Sequence, residues 1–351
     1  MRIRRYIAAE LCFLGLCVFS LAVVVQVSHH VFARKGVVAT SGDSSGSGTR
    51  ALSQVPVPDI AIEPVGSFLG MSDDLLIERM RIQSIAKMKL NKGGSSLSFR
   101  VDFADGSRAA FKPAQTNLQT IPRKEVAAYR ISRLLGLDAV APAIPRMVGR
   151  DEFFSHLHPD SLAHLPRLRA ETIFNPTGKT AGVMMYWIPV IKDPGLDTPE
   201  GIARSTQWLS QNQPMPNDVR ALAAQLSDLA VFDFLIANPD RYSGGNLMTN
   251  EDSSRILFMD NTMSFFIDPQ TWEKPRQVLH RTQRFSQRLY EALDRITHAG
   301  LTHVLTQAGE GSFEILTPAE IRSVVVRRDY VRSYIGQLIA AHGQTKVLCF
   351  P

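Results

Sequence analysis

The chain has 351 residues, 44% hydrophobic and 21% charged, with 39 Lys or Arg against 33 Asp or Glu and a formal net charge of +6. Residues 1–35 hold five basic side chains and one acidic one, a net +4, so the rest is nearly balanced and charge gives no support to nucleic-acid binding. The three cysteines, Cys12, Cys17 and Cys349, allow no internal disulfide outside the first segment, and the nine His residues lack metal-ligand spacing, which argues against structural zinc.

Leu11 to Val27 is apolar apart from Ser20 and Gln26 and follows Arg2, Arg4 and Arg5. That pattern predicts a membrane helix with a cytoplasmic N-terminus, which places the chain beyond it outside the cytoplasm. The segment is at the short end for a span, and Val31-Phe32-Ala33 has the small final residue of a weak cleavage site. An uncut signal anchor within residues 1–33 is the preferred reading, and a cleaved signal would export the same body. Residues 34–60, with Thr-Ser-Gly-Asp-Ser-Ser-Gly-Ser-Gly-Thr over 40–49, read as a flexible tether. The length that follows, about 290 residues, suits one bilobal domain or two small ones.

Residues 61–190 are expected to form the first lobe. Ile82 to Leu90, Leu97 to Phe103 and Arg108 to Phe111 read as antiparallel strands, joined by Asn91-Lys92-Gly93-Gly94-Ser95-Ser96 and by the tight turn at Asp105-Gly106. Backbone amides at Gly93 and Gly94 can approach phosphates. Lys112 follows the apolar strand end and is kept extended by Pro113, so it can reach phosphates as a compact charge, although an exposed strand-end lysine looks the same. Glu125 falls in the first turn of a helix that Gly136 stops; there it can hold a lysine or merely favour the helix dipole. Met184-Met185-Tyr186-Trp187-Ile188-Pro189 is strand-like and falls where the chain would pass between lobes, with Tyr186 and Trp187 beside a nucleotide base.

Residues 191–351 are expected to form a mainly helical second lobe. Apolar residues at helical spacing predict a helix over Asp218 to Ala237, capped by Asn217. Asp240 lies just past its end. Asn246 to Thr249 and Arg255 to Met259 read as two short strands, the second delivering Asp260. An Asp, an Asn six residues on, and a later Asp is the order in which phosphotransferases present a proton acceptor and two metal ligands; the same residues also suit plain turns. Arg241 can pin this loop by pairing with a nearby carboxylate. Thr317-Pro318-Ala319-Glu320 has the form of a capping box opening a last helix, with Arg322, Arg327, Arg328 and Arg332 expected on a solvated basic face.

Phe111-Lys112-Pro113, Glu125-Val126-Ala127-Ala128-Tyr129, Asn238-Pro239-Asp240-Arg241 and Asp260-Asn261 together resemble secretory-pathway kinases of the four-jointed and family-with-sequence-similarity-20 group. More remotely they look like HipA-type and phosphatidylinositol kinases. The resemblance spans roughly residues 80 to 345, and Asp228 to Asn238 is most similar to four-jointed. It implies an α+β, bilobal, atypical protein-kinase-like fold, with an antiparallel sheet and a helix in the N-lobe and a mainly helical C-lobe, after an N-terminal membrane helix. By this resemblance Lys112 binds ATP phosphates, Glu125 pairs with it, Asp240 is catalytic, and Asp260 binds Mg or Mn together with Asn246.

The implied activity is transfer of phosphate to Ser or Thr hydroxyls of secreted or surface proteins. The site would lie in the Golgi lumen of a eukaryote or the periplasm of a bacterium, and the need for ATP fits the Golgi better. A catalytically silent binding module, or a kinase for a lipid or small-molecule hydroxyl, are the alternatives. Two departures stand out. The group is stapled by disulfides that this chain lacks, which suggests a bacterial or divergent relative. Thr262 stands where many relatives have Gly, which bears on the loop conformation after Asp260.

Overall fold

The computed structural model describes residues 66–306 and 314–351, all within one compact unit, Asp59–Pro351. The anticipated anchor, its Cys12 and Cys17, and the tether lie outside the described residues. Among the described residues no helix is long and apolar enough to cross a membrane.

Strand alternation and turn chemistry build the first half. β1 (Ser67–Phe68) and β2 (Met71–Ser72) form a small hairpin that leads into α1 (Asp73–Ile82). Then come β3 (Ile85–Leu90), β4 (Phe99–Phe103) and β5 (Arg108–Pro113), with Gly106 at φ +81° in the turn between the last two. With β6 (Ala143–Gly149) and β7 (Lys179–Tyr186) they make one five-stranded antiparallel sheet in the order β3-β4-β5-β7-β6. Phe99, Val101 and Phe103 project from β4 at period two into a core with Met88, Phe111, Val148 and Phe153. Pro145, which has no N–H to give, sits on the edge strand β6.

Three features of this half depart from the expected pattern. The first strand starts at Ile85 rather than Ile82, because α1 runs through Ile82, with Asp73 and Asp74 in its first turn and Arg79 and Arg81 in its last, as the helix dipole favours. Lys112 and Pro113 belong to the strand, paired with Val183 and Gly182. Between β6 and β7 the chain makes three short helices, α3 (Arg150–Ser155), α4 (Pro159–Leu162) and α5 (Leu165–Glu171), which pack Phe153 and Leu168 onto the sheet.

α2 (Arg123–Leu134) precedes that excursion and ends where expected. Gly136, at φ +73°, lets its N–H reach the Arg133 carbonyl (2.9 Å) and the Leu137 N–H the Ser132 carbonyl (2.8 Å), a Schellman closure. α2 does not belong to the sheet's core. Val126, Ile131 and Leu134 pack with Leu229, Phe232 and Val324 of the second half, so α2 is wedged between the halves.

The second half is helical: α6 (Pro199–Leu209), α7 (Arg220–Ile236), α8 (Glu273–Arg281), α9 (Gln287–Ala292), α10 (His298–Leu305), α11 (Pro318–His342) and α12 (Gln344–Val347). Among the described residues a single hairpin, β8 (Leu247–Thr249) and β9 (Ile256–Phe258), interrupts it after α7. α7 is preceded by a 3-10 turn over Asn217–Val219, and Asn217 makes no side-chain cap. α11 opens with the expected capping box, in which Glu320 N–H donates to the Thr317 hydroxyl (3.2 Å) and Thr317 N–H to the Glu320 carboxylate (2.8 Å).

The basic face expected on α11 is only partial. Arg327 is fully buried, donating to the carbonyls of Leu235 (2.8 Å) and Phe266 (3.1 Å) and lying over the Trp272 ring. It turns inward because the Leu235 carbonyl, at the end of α7, needs a donor that its own helix cannot supply, while the Phe266 carbonyl, in the loop after β9, also accepts from Trp272 Nε1 (2.9 Å).

Candidate active site between the sheet and the β8–β9 hairpin

A cavity of about 360 Å³ opens where β5, β7 and α2 meet the β8–β9 hairpin. Ala110, Lys112 and Glu125 line one side, Met185 to Pro189 the connecting stretch, and Asn246, Leu257, Met259 and Asp260 the other. Leaving β7, the chain pairs Lys192 with Thr249 by two backbone hydrogen bonds of 2.9 Å, which ties the connecting segment to the hairpin.

Alternation along β5 sends Phe111 into the sheet core and Lys112 to the other face, toward the cavity. Lys112 Nζ lies 2.9 Å from Glu125 Oε1 and 2.9 Å from Asp260 Oδ1. Burial alone would lower the Lys112 ammonium, but the two carboxylates more than offset it and hold it above the usual lysine range. Partial burial pushes the Asp260 carboxyl up, yet Lys112 and the Thr262 hydroxyl outweigh that and keep it below the carboxylate range.

Asp260 sits at φ +49°, in the left-handed region. Thr262 Oγ1 donates to Asp260 Oδ1 (2.7 Å), so threonine steadies the carboxylate there without itself taking a positive φ.

A buried polar chain continues inward from Glu125. Its Oε2 accepts from the Asn261 backbone N–H (3.1 Å) and from Asn261 Nδ2 (3.2 Å), and Asn261 Oδ1 accepts from an Arg241 guanidinium nitrogen (2.7 Å). Arg241 grips Asp233 through contacts of 3.0 to 3.2 Å and also donates to the Asn246 carbonyl (3.0 Å) and the Met259 carbonyl. Asp233 is thus the carboxylate that pins the loop.

α2 is anchored at neighbouring residues too. Arg123 donates to both Glu320 oxygens (2.8 and 2.9 Å), and Lys124 donates to the Ser264 carbonyl and lies over the Phe266 ring. Burial pulls the Lys124 ammonium down to about 8.

Asp240 follows the left-handed end of α7 at Ala237 and is set by local bonds. Its N–H donates to Asn238 Oδ1 (2.9 Å), and its carboxylate accepts from Asn246 Nδ2 (3.2 Å). With Nδ2 so engaged, Asn246 has its Oδ1 left for a cation. Among the described residues no group of three His, Cys, Asp or Glu side chains forms a metal cage. Asn246 and Asp260 therefore fit a hard cation that completes its shell with ligand oxygens and water, as Mg and Mn do at phosphate sites.

Of the residues expected at the site, Lys112, Glu125, Asn246, Asp260, Tyr186 and Trp187 share this cavity; Asp240 is tied to its wall through Asn246. Tyr186 packs edge-on against Phe68, with its hydroxyl against the Met71 sulfur. Gly93 and Gly94 do not reach the wall; Asn91 and Ser98, at the two ends of that loop, do. Asn261 and Asp233 have no role that the sequence alone assigns. Asp233 carries a signal, a charged residue between Phe232 and Phe234 on an almost wholly apolar helix, whereas Asn261 looks like part of a turn.

The family model of the four-jointed box protein middle domain matches residues 72–267. The chain is also similar to solved structures: the Golgi casein kinase at 16% identity and TM-score 0.59, covering 79% of this chain and 78% of that one, and hydra Fam20 with sugar at 16% identity and TM-score 0.58, covering 77% and 90%. The Golgi casein kinase with Mn/ADP bound matches at 14% identity and TM-score 0.58, covering 79% and 78%. At these identities the likeness establishes a kinase-like α+β fold. No curated protein sequence matches the chain.

Proposed function

The chain belongs to the four-jointed box protein family, and from that membership we propose that it is an ATP-dependent kinase for Ser or Thr hydroxyls of secreted or surface proteins. The observation that carries the reading is Lys112 held 2.9 Å from both Glu125 and Asp260 at a cavity that Asn246 also lines. A lysine paired with a helix glutamate beside a metal-binding aspartate is the arrangement that kinase-type phosphoryl transfer requires.

In this reading Lys112 meets nucleotide phosphate oxygens as a point charge while Glu125 keeps it in place. Asp240, steadied by Asn246 Nδ2, accepts the proton of the incoming hydroxyl. Asn246 and Asp260 would hold Mg or Mn through their side-chain oxygens, and the chemistry such a cation would supply there is neutralisation of charge on the phosphoryl group. Leu257 and Met259 on one side and the Met185–Pro189 stretch on the other give apolar walls suited to an adenine ring. A structure of like fold holds Mn and ADP, which supports that pairing.

The apolar N-terminal segment after Arg2, Arg4 and Arg5 supports a tethered, extracytoplasmic site, with the Golgi lumen favoured by its supply of ATP. The test is metal-dependent turnover of ATP with phosphate appearing on protein Ser or Thr. Asp240→Ala is expected to lower turnover about 10²–10⁴-fold while nucleotide binding persists. Undiminished turnover in that variant would remove Asp240 as the base; nucleotide binding by the parent with no turnover would favour a silent binding module.

A further inference from the structure

Asn261 lines the cavity and is bonded both to Glu125 and to Arg241, the neighbour of Asp240. We propose that Asn261 is a positioning residue whose neutral amide couples the lysine-holding glutamate to the catalytic loop; this rests on the kinase reading above.

Its side chain is only 1% exposed and fully engaged. Nδ2 donates to Glu125 Oε2 (3.2 Å) and to the Phe258 carbonyl (3.1 Å), and Oδ1 accepts from Arg241 (2.7 Å). The orientation is set by its partners: a guanidinium only donates, and a carboxylate and a carbonyl only accept, so a flipped amide would lose all three bonds. Glu125 divides its two oxygens accordingly, Oε1 to Lys112 and Oε2 to Asn261.

The rotation of the Glu125 carboxylate, and with it the place of Lys112, is thereby tied to Arg241, the neighbour of Asp240. Asn261 also follows Asp260, whose left-handed backbone it helps to hold through its own N–H on Glu125.

Neutrality matters as much as shape. Aspartate at 261 would keep the Arg241 partner but set a second carboxylate against the buried Glu125 Oε2. Serine would supply one hydroxyl, able to serve Glu125 or Arg241 with the geometry of only one. Exchanging the two groups, Asn261→Asp with Glu125→Gln, would not restore the pattern, because an amide nitrogen in place of Glu125 Oε2 would face the backbone N–H of residue 261 and the Phe258 carbonyl would lose its donor, so the coupling is read from Asn261→Ser combined with Glu125→Gln.

The experiment measures kcat and KM for Mn-ATP, Mn-ATP binding by calorimetry, and the thermal midpoint of the parent, Asn261→Ser, Asn261→Asp, Glu125→Gln and the double variant Asn261→Ser with Glu125→Gln. Asn261→Asp is expected to lose about 10–100-fold in kcat/KM, the range for residues that orient a ligand-binding group, with most of the loss in KM. Asn261→Ser falls between it and the parent. The double variant loses less in kcat/KM than the product of the two single losses, because both substitutions act on the one Glu125–Asn261 bond, and a merely structural role of Asn261 would not produce that coupling.

An active parent with a simply additive double variant, or a folded Asn261→Ser with parental KM, would overturn the proposal, even if Asn261→Asp fails to fold. A parent that neither binds nor turns over Mn-ATP would instead remove the kinase reading, and the proposal with it.

Discussion

Asp240 and Arg241 are adjacent in the chain and are held in opposite ways. Arg241 is 1% exposed and ties Asp233, Asn261 and the carbonyls of Asn246 and Met259 into one buried framework. Asp240 is half-buried and kept by short-range partners, Asn238, Ser243 and Asn246, within six residues. One residue carries the architecture of the loop and the other is presented on it. A group that must meet a changing substrate cannot be locked by a full set of buried bonds, while the frame that aims it must be.

The sharpest way to break that contrast is Arg241→Ala. It leaves the Asp233 carboxylate buried without a counter-charge and strips Asn261 Oδ1 of its partner. A loss of about 3–5 kcal/mol in unfolding free energy is expected by denaturant titration. Asp240→Ala, by contrast, is expected to unfold like the parent, since it removes only local and partly solvated bonds.

Helix α7 holds two carboxylates that burial pushes up, Asp233 against the opposing Arg241 and Asp228 without such a partner. Asp233 meets Arg241, whereas Asp228, on the same helix, has Oδ1 buried with no hydrogen-bond partner among the described residues. Burial pushes the Asp228 carboxyl up to about 7, with Arg288 opposing that shift.

The folded chain therefore holds a proton there that the unfolded chain releases near pH 4. Unfolding free energy falls as pH rises through the window from about 4 to about 7, by up to about 1.4 kcal/mol per pH unit, and levels off above it. Asp228→Asn is expected to match the parent near pH 4 and to exceed it above pH 7, read from unfolding at a series of pH values. A parallel pH dependence in both proteins would show that Asp228 titrates elsewhere.

The same contrast explains what is legible along the chain. β4 and β5 are legible because alternation and the Asp105-Gly106 turn are local signals, and Lys112, Glu125, Asp240, Asn246 and Asp260 stand out as polar residues at the ends of apolar elements. α3, α4 and α5, of six, four and seven residues, are too short to show a helical period.

Asn261 gives no such signal because its partner Glu125 lies 136 residues away. Arg327 reads as a surface residue because the carbonyls it serves, at Leu235 and Phe266, come from elements that meet α11 only in the folded chain. Local periodicity reports an element's own geometry; long-range polar pairing depends on which elements become neighbours, and no window along the chain contains that.

The smallest expected effect concerns the glycine-rich loop. Gly94 sits at φ +77° with open space where a Cβ would go, and the cavity wall is formed instead by Asn91 and Ser98, joined through Asn91 N–H to the Ser98 carbonyl (2.8 Å) and by their side chains (3.0 Å). Gly94→Ala is therefore expected to cost about 1–2 kcal/mol of backbone strain and to leave the KM for ATP within about twofold of the parent. Asn91→Ala, which opens the base of the loop, is expected to raise that KM more. A larger KM effect at Gly94 than at Asn91 would mean that the loop closes over the nucleotide when it binds, and that the glycine backbone, rather than the ends of the loop, meets the phosphates.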